Sequence, residues 1–351
     1  MDNNTLTVGL TIIFSVVLFG PFLNKWIESN LEIFLFVMGA ITATFSNAWT
    51  WEVIHEGFVA PINITLAVLA AGVMFHYTRR FIDRGMRRVM ITVPLAAIVC
   101  AAIIILALLS SIISAIIAAL LLVELITVLP LHRQAEINLA IIACFAIGLG
   151  AALTPLGEPL STIVVSKLNG APYHAGFGYL ARLLALYVVP AVVALGIIGI
   201  FLVRQAADDT EASLAAEEEK EKLIEVFMRA FKVYVFVMAL IFLGAGFKPL
   251  IDAYLIRMSS QALFWMNMVS AVLDNATLAA AEIGPSLTET QIKSALLGLL
   301  ISGGMLIPGN IPNIIAAHAL RIKSTEWARL GVPLGLIMMA GTAVLLSLGW
   351  I

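Results

Sequence analysis

Charge is what this 351-residue chain has least of. Lys, Arg, Asp and Glu make up 12% of it, whereas a soluble globular protein carries about a quarter. Hydrophobic residues reach 61%, and mean hydropathy is +1.04. That shortage excludes a soluble enzyme, a disordered chain and a nucleic-acid binder with a basic face. Cysteine is also scarce. Cys100 and Cys144 both lie in apolar runs, where free buried thiols are expected, and no metal-ligand spacing accompanies them. The net charge of -2 identifies no partner, because the few charges are sorted in space. What remains is an all-α polytopic membrane protein with lipid as its solvent. At roughly 20 apolar residues per crossing, the chain has room for about 10 spans.

The first seven residues, MDNNTLT, carry no basic stretch, and the apolar run beginning near Thr7 has no cleavage site. That run is expected to be a span rather than a removable signal. The apolar runs are 5–23, 31–47, 60–77, 90–109, 110–130, 136–169, 177–203, 228–247, 258–283, 286–320 and 329–350. Two of them, 136–169 and 286–320, are too long for one straight crossing, and Gly and Pro interrupt both. A third, 258–283, is interrupted by Asp274 and Asn275. The only long polar stretch, 204–227, is acidic and Ala-rich, is expected to be helical near Glu217–Glu225, and reads as a solvated cytoplasmic linker. It separates an N-terminal half, 1–203, from a C-terminal half, 228–351.

Basic residues set the expected orientation. Arg79, Arg80, Arg84, Arg87 and Arg88 fall in the 78–89 segment, which reads as a loop. Arg204, Lys220, Lys222, Arg229 and Lys232 fall in 204–232. With Lys25, Arg133, Arg321, Lys323 and Arg329, these are cytoplasmic if both termini lie outside. Trp49 and Trp51 then sit in an outer segment, 48–59, suited to an interfacial helix. The scheme closes only if 258–283 enters and returns as a re-entrant hairpin.

The two halves echo each other. Ser114-Ala115 in a first hairpin, about 90–130, matches Ser270-Ala271 in the second. Each is followed by a Gly/Pro-rich break. The first runs through Thr154-Pro155-Leu156-Gly157-Glu158-Pro159, the second through Pro308-Gly309-Asn310-Ile311-Pro312-Asn313. An odd number of crossings between equivalent points turns one repeat upside down relative to the other. Inverted repeats with interrupted helices point to a secondary transporter whose site lies where the breaks meet.

Those breaks suit ion chemistry. Proline removes a backbone donor and frees a carbonyl one turn back. In hydrocarbon, freed backbone groups persist only where they line a cavity or bind something. The hinge residues Pro155, Pro159, Pro308, Gly309 and Pro312 therefore expose carbonyls beside Thr154, Gly157, Glu158, Asn310 and Asn313. Oxygen-rich sets of this kind hold small hard cations, and half-helix N-termini hold anions equally well.

An acid in the membrane costs roughly 2.5–3.5 kcal/mol even on the lenient insertion scale, so each is a functional candidate. Asp274 and Glu158 stand at backbone breaks. Glu124 lies deep in an apolar run, as a proton carrier or as a hydrogen-bonded structural acid. Glu282, near a helix end, reads as interfacial, and His318 reads as a packing residue. A buried carboxyl resists ionisation and can hold a proton or a cation but not both. That exclusion is sufficient for cation–proton exchange.

At these residues the sequence resembles the ion transporter superfamily, which includes D-type sodium/proton antiporters, arsenite permeases and divalent anion/sodium symporters. Ser270-Ala271-Val272-Leu273-Asp274-Asn275-Ala276-Thr277 is similar to the antiporters' Ser-x-x-x-Asp-Asn hairpin. Thr154-Pro155-Leu156-Gly157-Glu158 is similar to their Thr-Pro-Ile-Gly-Asp motif, with Glu for Asp. Gly309-Asn310-Ile311-Pro312-Asn313 is similar to the superfamily's Gly-Thr-x-Pro-Asn, with Asn310 for Thr. The likeness covers 110–170 and 262–320 and is greatest to a short prokaryotic branch of candidate cation transporters. It implies two hairpins, two broken helices and a homodimer with an elevator-like motion in the cell membrane. The first hairpin, near Ile117-Ala118-Ala119-Leu120, lacks an Asp-Asn or Ser-Asn-Thr tip, which disfavours a dicarboxylate clamp.

The expected function is therefore secondary transport, with Na+ or Li+ exchanged for H+. Asp274 and Glu158 bind cation or proton in turn, with Asn275, Thr277, Thr154, Gly157, Asn310 and Asn313 around them and Na+ as the transported or coupling ion. The alternative is a sodium-coupled symporter or permease for a small anion. A channel or an intramembrane enzyme ranks below both, because no paired Asp motif, zinc-ligand spacing or Ser/His pair is present. No cofactor is expected.

Overall fold

The chain builds helices wherever its apolar runs allow. The computed structural model describes residues 3–208, 223–254, 259–273 and 275–347. Four helices open it: α1 (Asn3–Leu23), α2 (Lys25–Ser29), α3 (Leu31–Phe45) and α4 (Trp51–Thr92). The first repeat-like set is α5 (Leu95–Ile113), α6 (Ala115–Val128), α7 (Arg133–Ala151), α8 (Pro159–Lys167) and α9 (Tyr179–Asp208). Then come α10 (Leu223–Tyr254), α11 (Ser260–Met266), a 3-10 turn at Asn267–Ala271 and α12 (Asn275–Glu282). Last are α13 (Glu289–Gly303), a 3-10 turn at Ile307–Gly309, α14 (Ile311–Ala319) and α15 (Ser324–Ser347). No strand occurs among the described residues. Among the described residues, seven helices are long and apolar enough to cross a membrane, within α1, α4, α5, α7, α9, α10 and α15. The protein is an all-α membrane protein.

Helix faces sort by solvent. Large apolar side chains such as Ile12, Phe19, Ile112, Phe201 and Ile337 are exposed on outer faces. Extensive apolar exposure of this kind suits lipid rather than water. By contrast, α7 is buried along nearly its whole length and α13 from Ile292 onward. A helix that is apolar on all sides belongs in a core. These two helices are the axis on which the rest packs, and each ends in a break.

Around the axis, α5 and α9 pack on α7, while α11 and α15 pack on α13. The arms then cross over. α6 packs on α14, and α12 packs on α8. On the flank, α3 and α4 both pack along α10. There Lys232 Nζ meets the buried Glu32 carboxyl at 2.9 Å, which partners an acid that would otherwise be costly in an apolar setting.

Three local expectations change. The arginine-rich 78–89 segment is not a loop, because α4 runs unbroken from Trp51 to Thr92 and includes the expected interfacial segment. Arg and Met are good helix formers, and a lone glycine there does not end the helix. The tip of the first hairpin is not at 117–120 but at Ser114, with φ 79 and ψ 151. The 204–227 linker is helical at both ends, since α9 reaches Asp208 and α10 starts at Leu223. Residues 209–222, Lys220 and Lys222 among them, lie outside the described residues.

The 258–283 segment does reverse. α11 and α12 have 7 and 8 residues, or about 10–12 Å each at 1.5 Å per residue. Asn267 Nδ2 reaches Glu282 Oε2 at 3.0 Å. A continuous helix would hold residues so far apart in sequence at about 22 Å.

Candidate functional site at the two helix breaks

Each break is a helix stopped and restarted. α7 stops at Ala151, and α8 restarts with Pro159 in its first turn. α13 stops at Gly303, and α14 restarts with Pro312 in its first turn. Proline suits that position because its missing N–H has no partner to lose there. The residue before each restart is extended: Glu158 has φ -155 and ψ 160, Asn310 φ -155 and ψ 145. Neither side chain caps its own helix. Both are buried, at 6% and 3% exposure.

The likeness extends to contacts within each break. A Cβ on Gly157 would lie 1.9 Å from Ala151 O, and one on Gly309 would lie 2.5 Å from Gly303 O. Ser161 Oγ donates to Ala152 O at 3.2 Å. At the corresponding place in α14, Asn313 Nδ2 donates to Gly303 O at 2.8 Å and Leu306 O at 2.9 Å. Both side chains satisfy carbonyls that the stopped helices leave open.

The hairpins hold the breaks in place. At the first, Ala115 N donates to Gly157 O at 2.8 Å, Ser110 Oγ donates to Ile147 O at 3.0 Å, and Thr154 Oγ1 donates to Ser111 O. At the second, Ser270 Oγ donates to Leu299 O at 3.1 Å, and Gly309 lies against Ser270 O. The breaks also touch each other's helices. A Cβ on Gly148 of α7 would lie 2.3 Å from Asn310 Nδ2, so only glycine leaves room for that amide. Phe145 lies against Gly304 in the same region.

Between these parts is a cavity of about 420 Å³. Ser114 to Ile116 form one wall, and Pro155 to Pro159 with Thr162 another; Asn275, Asn310 and Ile311 complete it. Glu158 is the charged residue among its described lining groups. Asn275 is 4% exposed, and its Nδ2 has no hydrogen-bond partner among the described residues. The N-terminal ends of α8 and α14 open onto the cavity through Pro159, Thr162 and Ile311.

The sequence-derived residues thus divide. Glu158, Gly157, Pro155, Pro159, Asn275 and Asn310 meet at the cavity. Thr154 and Asn313 do not line it and instead brace the breaks through backbone carbonyls. Pro308, Gly309 and Pro312 shape the second break behind Asn310. Glu124 is half-buried on α6 and outside the lining. His318 packs edge-on against Phe236, with ring centroids 5.5 Å apart. Asp274 and the Thr277 side chain lie outside the described residues. Two features escaped the sequence reading. Ser114 lines the cavity, which its match to Ser270 could have signalled. Glu282, at the end of α12, is buried within the protein, at 5% exposure.

No curated protein matches the chain. A family described as a protein of unknown function, DUF1646, matches residues 7–348. Because that match takes in nearly all 351 residues, the chain belongs to the DUF1646 family.

Proposed function

We propose that the protein is a secondary active transporter that exchanges a small monovalent cation, Na+ or Li+, for H+. The observation that carries this reading is the cavity in which Glu158, Asn275 and Asn310 come together from two helix breaks and a hairpin. One carboxylate among carboxamide and backbone oxygens matches the ligand preference of a small hard cation. A buried carboxyl holds either the cation or a proton, so the two compete at one place. Asp274, next in sequence to Asn275, is the second carboxylate of the proposed site.

Inverted repeats are part of the same proposal. The crossed packing of α6 on α14 and α12 on α8 supports them. So does the matching backbone at Glu158 and Asn310. Transporters of this architecture bind at the repeat interface and expose the site to each side in turn. A member of the ion transporter superfamily, working as a homodimer in a prokaryotic cell membrane with an elevator-like motion, fits this arrangement.

A second reading, uptake of a small anion coupled to sodium, draws on the open N-terminal ends of α8 and α14, which favour negative charge. Glu158 stands at one of those ends and opposes an anion there.

Everted vesicles with a pH-sensitive dye test the proposal. Added Na+ or Li+ is expected to dissipate an imposed proton gradient, and Asp274→Asn is expected to abolish the response. A gradient indifferent to both cations, with sodium-dependent uptake of a radiolabelled oxyanion or carboxylate, favours the second reading.

A further inference from the structure

Glu282 ends α12, on the returning arm of the second hairpin, outside the cavity lining. Asn267 begins the 3-10 turn of the entering arm and is fully buried. Asn267 Nδ2 donates to Glu282 Oε2 at 3.0 Å and to Ala295 O at 3.1 Å. Both amide hydrogens are then in use. Two buried atoms are left over, Glu282 Oε1 and Asn267 Oδ1, each without a partner among the described residues.

Both leftover atoms are oxygens. An ionised carboxylate and a carboxamide oxygen only accept, so neither can satisfy the other. One added proton changes this. A hydroxyl on Glu282 Oε1 would be a donor that Asn267 Oδ1 can accept while Nδ2 still donates to Oε2, which would close a cyclic acid–amide pair. Turning the amide over gives no substitute, because Oδ1 would then face Ala295 O. Leaving a buried acceptor unsatisfied is costly, and more so for a charged one.

Among the described residues, no cation forms an ion pair with Glu282. α12 packs against α8, α10 and α13. On α8, Lys167 gives its ammonium to Ala280 O. On α10, Lys232 pairs with Glu32, and the Tyr234 hydroxyl donates to Phe58 O. On α13, Lys293 lies 5.8 Å from the centroid of the Tyr187 ring, and Glu289 adds negative charge rather than relieving it. The side chains of Glu225, Arg229 and Asp252 on α10, and Asp274, lie outside the described residues.

We propose that Glu282 and Asn267 form a proton-binding site in which a neutral Glu282 carboxyl group ties the two arms of the second hairpin together. The ligand is a proton, and the site is separate from the cation cavity. The hairpin that it closes carries Asn275 into that cavity, so loss of this proton loosens one wall of it. The inference does not depend on what the protein transports.

Infrared difference spectroscopy of the purified full-length protein in detergent, wild type minus Glu282→Gln at about pH 6, tests it. The expected result is a carboxylic-acid C=O band that Asn267→Ala shifts by removing its partner. Carboxylate bands in place of the acid band would overturn the proposal. Melting temperature gives a second readout. The folded state holds a proton that the unfolded chain has released, so wild type is expected to lose stability relative to Glu282→Gln from about pH 4.5 to about pH 7. A constant difference across that range contradicts the proposal. So does a Glu282→Gln chain that fails to fold, because a carboxamide reproduces the donor and acceptor of the neutral acid.

Discussion

Glu158 and Asn310 face one cavity from equivalent positions, each with φ -155, each directly before a nine-residue helix. Their side chains differ in charge, so exchanging the chemistries separates electrostatics from shape. Glu158→Gln is expected to fold normally and to abolish cation-coupled proton movement in vesicles. Asn310→Asp is expected to tighten apparent cation affinity on the order of tenfold. That is about 1.4 kcal/mol, part of the ~4 kcal/mol that Coulomb's law allows at 4 Å and an effective dielectric constant of 20. A cation titration of the melting temperature reads both.

Gly148→Ala places a methyl group 2.3 Å from Asn310 Nδ2. The displaced atom is the end of a side chain, so the fold is expected to survive while cation-dependent stabilisation is lost. Gly157→Ala meets the backbone oxygen of Ala151 at 1.9 Å. Backbone has less freedom to yield, and a loss of folded protein is expected instead. Size-exclusion recovery after detergent extraction distinguishes the two variants.

Ser114 holds φ 79 and ψ 151 at the tip of the first hairpin. Only glycine visits that region at low cost, and non-glycine residues there store on the order of 1–3 kcal/mol. The cap Ser114 supplies to Ile117 N is long, at 3.5 Å. Glycine caps nearly as well as serine. Ser114→Gly is therefore expected to raise thermal stability, and Ser114→Val to lower it. Melting curves in detergent check both signs.

Arg133 ties the start of α7 to the end of α14, with Nη1 on Leu320 O at 2.7 Å and Nη2 on Arg321 O at 2.9 Å. Charged hydrogen bonds of this kind are each worth about 1.5–3 kcal/mol. Arg133→Lys keeps the charge but cannot span two carbonyls, and it is expected to be destabilised about half as much as Arg133→Ala. Equal melting temperatures for both variants and wild type would remove this tie from the account.

Much of this architecture was legible in the sequence because the chain punctuates itself. Pro155, Gly157 and Pro159, then Pro308, Gly309 and Pro312, mark breaks that no apolar run tolerates without reason, and the structure stops and restarts helices there. The first hairpin's tip was not legible, since Ser114 turns the chain with neither Gly nor Pro and apolar residues surround it. The continuity of α4 was hidden by a cluster of arginines, which pattern reading assigns to a loop although arginine favours helix. Thr154 Oγ1 and Asn313 Nδ2 donate to backbone carbonyls outside the cavity lining, contacts that no local pattern identifies, while Asn313 Oδ1 has no partner among the described residues. The burial of Glu32 and Glu282 depends on Lys232 and Asn267, partners remote in sequence that no local pattern identifies.

Under the proposed function, a cation and a proton compete for the carboxylates at the meeting of the two breaks. The most direct measurement is the melting temperature of the detergent-purified protein against Na+ concentration at several pH values, with Li+, K+, Mg2+ and small anions in parallel. A ligand that binds only the folded state raises its apparent stability. Cation–proton exchange at this site predicts stabilisation by Na+ or Li+ that weakens as pH falls and disappears in Glu158→Gln. Stabilisation by small anions with indifference to Na+, or a Na+ effect unchanged by pH and by Glu158→Gln, would contradict it.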